Sequence, residues 1–242
     1  MTHSMNIIAV VAQKGGTGKS MVSASLAVSA SMRGLRTLVA DTDPQGSLVD
    51  WKKCRIAKEP AVLGAKTSAI HPMRFAAERA GLDLMIIDTR ASSIECSVEA
   101  AKIADLTLIV VRPCAVDLRA IAGTVEALKP LRRPAAFVLN QAPSQRVGHE
   151  PVIVSEAINL LLDYGLPVAP VGLRSRALYQ TAFARGMSPG EIDPESRAAL
   201  EIASLWAYVS GRLSQSVAVL PASGRAIPYP RPALVGGGVG PR

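Results

Sequence analysis

The segment Lys14-Gly15-Gly16-Thr17-Gly18-Lys19-Ser20 follows the apolar run Ile7-Ile8-Ala9-Val10-Val11 and opens a stretch with helical patterning. A strand that feeds a glycine-rich turn and then a helix is the layout of a phosphate-binding loop, and it leaves the chain few folds to choose from. Gly15, Gly16 and Gly18 let the backbone turn tightly and, with Thr17, aim its N–H groups inward, while the helix N-terminus adds partial positive charge. Lys19 is placed to reach the β- and γ-phosphates of a nucleotide, and the Ser20 hydroxyl to ligate Mg²⁺. The strict pattern G-x-x-x-x-G-K-[ST] wants glycine at position 13, where this chain has Gln13. A second lysine, Lys14, stands five residues before Lys19.

The remainder of the chain alternates apolar runs with helix-length segments. Candidate strands fall at 6–12, 36–40, 83–87, 106–111, 135–139 and 168–171, most of them nearly unbroken in Val, Ile and Leu, which implies burial on both faces. Helical patterns fall between and after them at 19–33, 46–57, 72–80, 94–104, 118–128, 151–164, 176–186 and 194–213. Strand and helix in repetition predict an α/β fold: a doubly wound, mostly parallel sheet with helices on both faces and ligands at the carboxyl ends of its strands. Hydrophobic residues make up 49% of the chain but aromatics only 4%, which suits parallel strands and small-residue helices better than a β-sandwich. Residues 1–216 read as one domain of this kind, long enough to bury a substantial core. Residues 217–242, with Pro221, Pro228, Pro230, Pro232 and Pro241 and the run Gly236-Gly237-Gly238, read as a disordered or extended tail.

Three further segments carry chemistry at expected strand ends. Asp41-Thr42-Asp43-Pro44-Gln45-Gly46-Ser47 sets two acids beside the loop. Such a pair can hold Mg²⁺ through water and position an attacking water; the alternative is an Asx-type turn capping the next helix. Leu84-Met85-Ile86-Ile87-Asp88-Thr89 is an apolar strand ending in an acid, where Asp88 would accept from Ser20 or a metal-bound water. Val138-Leu139-Asn140-Gln141 ends a strand with an amide that can pair with an adenine edge or serve as a plain turn residue.

Together the paired lysines Lys14 and Lys19, the Asp41–Ser47 pattern and the Asp88 strand resemble the ParA/MinD family of P-loop ATPases, whose loop is the deviant Walker A motif. The stretch Val110-Val111-Arg112-Pro113 with Asp117-Leu118 is similar to a segment of the small ParA proteins, and the likeness runs over about residues 5 to 212. In that family the extra lysine, here Lys14, reaches across an ATP-bound homodimer to the partner's phosphates. The resemblance assigns hydrolysis to Asp43, support of the metal shell to Asp41 and base recognition to Asn140, and Trp51 stands where small ParA proteins often have one. Two departures stand out. Arg90-Ala91-Ser92 replaces the usual Pro-Pro-Gly of switch II, removing a backbone approach to the γ-phosphate. Met21 replaces a threonine hydroxyl.

Of the formal net charge of +8, the segment after Ser216 contributes Arg225, Arg231 and Arg242 and no acid, so residues 1–216 carry +5 and are themselves basic. A basic body takes polyanions as partners, or is a solvated surface without one. ParA-like proteins bind DNA non-specifically through late basic residues, and Arg174, Arg176, Arg185, Arg197 and Arg212 are the corresponding candidates; each also reads as a solvated or salt-bridged surface residue. No helix-turn-helix pattern precedes the loop. The resemblance thus implies an ATP- and Mg²⁺-dependent homodimer that binds non-specific DNA and positions a plasmid, a chromosome region or a protein assembly. Its hydrolysis would be slow until stimulated by a ParB-like or cargo-linked protein.

Rival functions find less in the residues. A MinD-like membrane cycle needs a terminal amphipathic helix, which the Pro- and Gly-rich tail does not offer. An electron-transferring iron protein needs cluster cysteines, and Cys54, Cys96 and Cys114 lack such spacing. A tyrosine kinase of this fold would have a tyrosine-rich tail, where only Tyr229 lies. A nucleotide-gated DNA-binding switch with negligible turnover fits the altered switch II. No signal peptide or membrane span is read, so the expectation is a cytoplasmic protein, on the nucleoid when ATP-bound. His3, His71 and His149 are too dispersed to nominate a metal site.

Overall fold

The computed structural model describes residues 5–145 and 149–217. Six parallel strands form one sheet: β1 (Asn6–Val11), β2 (Thr37–Asp41), β3 (Ala61–Gly64), β4 (Leu84–Asp88), β5 (Leu106–Val111) and β6 (Ala135–Leu139), in the order β3-β2-β4-β1-β5-β6. β1 is central, and the register sets Val10 beside Asp88. The expectation of a doubly wound parallel sheet holds.

Alternate residues of each strand enter opposite cores. Ile7, Ala9 and Val11 pack with α3 (Ile70–Arg79), α4 (Ile94–Ile103), α5 (Ala115–Leu128) and α6 (Val152–Leu162). Ile8 and Val10 pack with α1 (Lys19–Ser31), α2 (Ser47–Cys54), α7 (Ala177–Ala184) and α9 (Arg197–Val217). The short α8 (Pro189–Ile192) sits between α7 and α9 in sequence. α1 is rich in Ala and Ser and nearly wholly buried, its small side chains allowing close approach to the sheet and to α9.

Two strand expectations change. Residues 168–171 form no strand: Val168 makes one isolated parallel bridge with Phe137. Pro167 and Pro170 bracket it, and a residue without an N–H cannot continue a ladder. In its place the half-exposed edge strand β3 carries an apolar run of only three residues, Ala61-Val62-Leu63, between Pro60 and Gly64. The tail expected from 217 onward lies outside the described residues, except that the backbone of Val217 closes α9.

Candidate functional site

The turn between β1 and α1 is a cradle of unspent donors. From Gly15 to Met21, no amide N–H donates to a backbone carbonyl or side chain among the described residues. The loop's carbonyls are occupied instead. That of Gln13 accepts from Ser92 Oγ at 3.0 Å, that of Gly16 from Gln141 Nε2 at 2.9 Å and that of Thr17 from Asn140 Nδ2 at 2.6 Å. Gly18 is fixed as glycine twice over. Its φ of +82° favours a residue without Cβ, and a Cβ there would lie 2.2 Å from Asn140 Nδ2. At Gly15 and Gly16 an added Cβ meets nothing within 4 Å, so the space above the turn is open. Gln13 can replace the usual glycine because its side chain is used elsewhere, Oε1 accepting from Thr124 Oγ1 of α5 at 2.9 Å.

Behind the loop, Asp88 is fully buried at the end of β4. Its carboxylate accepts from Ser20 Oγ at 2.7 Å and Ser23 Oγ at 2.9 Å, with Lys19 Nζ at 3.5 Å. Burial pushes this carboxyl above the usual range, against the opposing pull of Lys19 and the two hydroxyls. The donor set fits Mg²⁺ without a protein cage. Among the described residues no group of three His, Cys, Asp or Glu side chains is placed to hold a metal. Mg²⁺ characteristically keeps waters and phosphate oxygens and takes one or two protein oxygens, which Ser20, backed by Asp88, can supply.

The two acids at the end of β2 part company. Asp41, buried, accepts from the α2 amides of Leu48 at 2.9 Å and Val49 at 3.2 Å through one oxygen, and from Asp43 N at 3.2 Å through the other. The capping alternative therefore describes Asp41, which does not line the cavity above the loop. Asp43 does line it, beside Lys14 and Lys19, with Oδ1 accepting from Gln45 N at 3.0 Å.

That cavity is about 760 Å³. Its far side is formed by Asn140 and by Tyr179, Gln180 and Phe183 of α7. Asn140 is buried and its Oδ1 has no partner among the described residues, although its Nδ2 is tied to the loop. A buried acceptor left open at a cavity wall is an invitation to a donor such as the exocyclic amine of adenine.

Of the five arginines named from the sequence, Arg174, Arg176 and Arg197 share a groove of about 620 Å³. Arg174 is bidentate to Glu150, at 2.6 and 2.7 Å, and Arg176 donates twice to Glu201 Oε1, at 2.9 and 2.6 Å. Arg197 and Arg185 are exposed, and Arg185 and Arg212 lie outside the groove. Arg174 and Arg176 also line the larger cavity, so the two hollows share a wall.

Several residues escaped the sequence reading. Ser23 follows Ser20 by three positions on the same helix, a spacing that could have flagged a second hydroxyl for Asp88. Arg112 and Asp117 prove to be partners at 2.8 and 2.9 Å, which explains their shared motif. Burial would raise Asp117, but the Arg112 hydrogen bonds and charge outweigh it and hold the carboxyl below its ordinary range. The loop contacts of Gln13, Ser92 and Gln141 had no local signal.

Known proteins agree with this layout. The family model of the CobQ/CobB/MinD/ParA nucleotide binding domain matches residues 8–189. Maintenance of carboxysome distribution protein A of Halothiobacillus neapolitanus is 29% identical over 207 residues, 80% of this chain and 91% of that protein. Apo McdA of Cyanothece superposes with a TM-score of 0.71 at 14% identity, covering 87% of this chain and all of that one. The septum site-determining protein MinD of Pyrococcus horikoshii OT3, complexed with Mg-ADP, gives 0.68 at 18% identity over 89% of this chain and all of that one. With a matching family model over most of its length and a phosphate cradle between its first strand and first helix, the chain belongs to the CobQ/CobB/MinD/ParA family of nucleotide-binding domains.

Proposed function

We propose that the chain is a ParA-like ATPase that binds ATP with Mg²⁺, pairs with a second copy, and in that state binds DNA without sequence preference to position a cargo. The observation that carries the reading is the loop itself. Seven consecutive amides have no protein acceptor among the described residues, Lys19 is buried against Asp88 at its base, and Lys14 is exposed on its rim. Lys14 lines the cavity and makes no hydrogen bond or ion pair among the described residues, as suits a cation kept for phosphates of a partner subunit.

Bound Mg²⁺ would supply charge neutralisation of the phosphates, with Ser20 and, behind it, Asp88 as its protein support. The chain's own contribution is positional. Gly15 to Ser20 bind phosphate oxygens, Asn140 meets the base, and Asp43 stands in the cavity where it can orient a water. Arg185 and Arg197 are available to a DNA backbone as they stand, whereas Arg174 and Arg176 must first leave Glu150 and Glu201. Cargo positioning is favoured by the likeness to a carboxysome distribution protein. No helix among the described residues is long and apolar enough to cross a membrane. The reading places the protein in the cytoplasm, on the nucleoid in its ATP state, with a cargo-linked partner of ParB-like role raising its turnover.

The test is binding to unrelated duplex DNA with ADP, with ATP and Mg²⁺, and with ATP for K14A, across a salt series. Binding by the wild type with ATP alone, weakening with salt, supports the positioning cycle. Indifference to DNA in every nucleotide state removes it. Phosphate release with and without DNA then separates an ATPase from a gated switch of negligible turnover.

A further inference from the structure

The short link after β4 carries an arginine that nothing in the site so far has used. Thr89 is fastened to β1, its N–H and Oγ1 both donating to the Val10 carbonyl at 3.2 and 3.0 Å. Ser92 is fastened to the phosphate loop, its N–H donating to the Ala12 carbonyl at 3.4 Å and its Oγ to that of Gln13 at 3.0 Å. Ser92 holds a φ of +58°, the left-handed conformation that the family's glycine would adopt freely. Ser92 thus takes, without being glycine, a backbone conformation that glycine adopts at no cost. Between the two fastenings stand only Arg90 and Ala91, and both line the 760 Å³ cavity.

Arg90 is exposed and, among the described residues, makes no hydrogen bond or ion pair. Its neighbours in charge behave otherwise: Arg112, Arg174 and Arg176 are each committed to a carboxylate. The sheet order says which end of a ligand it would meet. Asn140 follows β6, on one side of β1; Asp43 follows β2 and Arg90 follows β4, on the other. A nucleotide with its base at Asn140 and its phosphates over the loop thus directs its terminal phosphate towards Asp43 and Arg90.

We propose that Arg90 is a ligand of the terminal phosphate of a nucleoside triphosphate, taking over from the backbone contact that glycine in switch II would give. A guanidinium offers forked donors matched to two phosphate oxygens, and its permanent charge is worth more at a terminal phosphate than a single amide. Because it meets the third phosphate and not the first two, it selects the triphosphate over the diphosphate. The inference rests on the nucleotide reading above.

The experiment is calorimetric titration of the full chain, with Mg²⁺, by ADP and by a non-hydrolysable ATP analogue, for the wild type, R90A and R90K. Loss of a charge-assisted contact predicts analogue affinity lowered about tenfold or more in R90A, ADP affinity changed less than about twofold, and partial recovery in R90K. R90Q, which keeps a polar side chain but removes the charge, should behave as R90A, and thermal melts of all variants should match because Arg90 has no partner among the described residues to lose. An analogue-to-ADP ratio in R90A equal to that of the wild type overturns the inference and leaves the nucleotide reading intact. A wild type that binds neither ligand overturns both.

Discussion

A single methyl group tests the cradle most severely. Gly18 combines left-handed backbone with Asn140 Nδ2 at 2.2 Å from where a Cβ would be, so G18A must both strain its backbone and displace the amide that ties down Thr17. We expect a loss of roughly 2 to 4 kcal/mol of stability, from left-handed strain plus a broken buried hydrogen bond, and loss of nucleotide binding. Urea unfolding and calorimetry check the two parts. Residues like this were legible in the sequence because the phosphate loop is local: the chemistry of Lys14 to Ser20 is written in seven consecutive letters. Gln13 was visible only as a departure. Its partner Thr124 lies 111 residues away, and no local pattern announces such a pair.

Elements were legible where burial is two-sided. β1, β4 and β5 are nearly continuous apolar runs with fully or almost fully buried side chains, and their bounds fall within a residue or so of expectation. β3 was missed because its apolar run, Ala61-Val62-Leu63, is only three residues long and set between Pro60 and Gly64, which read as turn residues. The clamp on α2 was likewise unreadable. Arg55, just past its C-terminus, bonds Glu191 at 2.9 and 2.8 Å and the Gly186 carbonyl at 2.8 Å, and lies 5.0 Å from the Trp51 ring centroid. Trp51 itself donates to the Met187 carbonyl at 3.3 Å. This fastens α2, whose N-terminus Asp41 caps, to the segment joining α7 and α8. Removing one member of a nearly buried pair leaves the other uncompensated, so R55M should cost about 3 kcal/mol in denaturant unfolding. Restoring a neutral pair with E191Q on top of R55M should recover part of that loss.

Over the whole molecule, the charge that the sequence offered to DNA is partly internal. Composition reports +8 but not which arginines face carboxylates, since Glu150 and Glu201 lie 24 and 25 residues from their partners. E201Q, which frees Arg176, should raise ATP-state DNA affinity and steepen its salt dependence by about one counterion; an unchanged slope in a filter-binding series would argue that Arg176 never meets DNA. The Arg174 hydrogen bonds hold Glu150 below its ordinary range despite partial burial. A depressed carboxylate contributes stability that is complete above the unfolded-state value, near 4.5, and is lost as pH falls through the folded one. Acid titration of the unfolding midpoint should therefore fall less steeply below about pH 4.5 in E150Q than in the wild type. A different consequence follows from the carbonyls of Gln13, Gly16 and Thr17, which are moored by side chains from switch II and from the end of β6. The loop's conformational entropy is surrendered when the protein folds, not when a ligand arrives. Association then needs no ordering step, so its rate should follow diffusion and charge, and nucleotide exchange can proceed while the loop stands still.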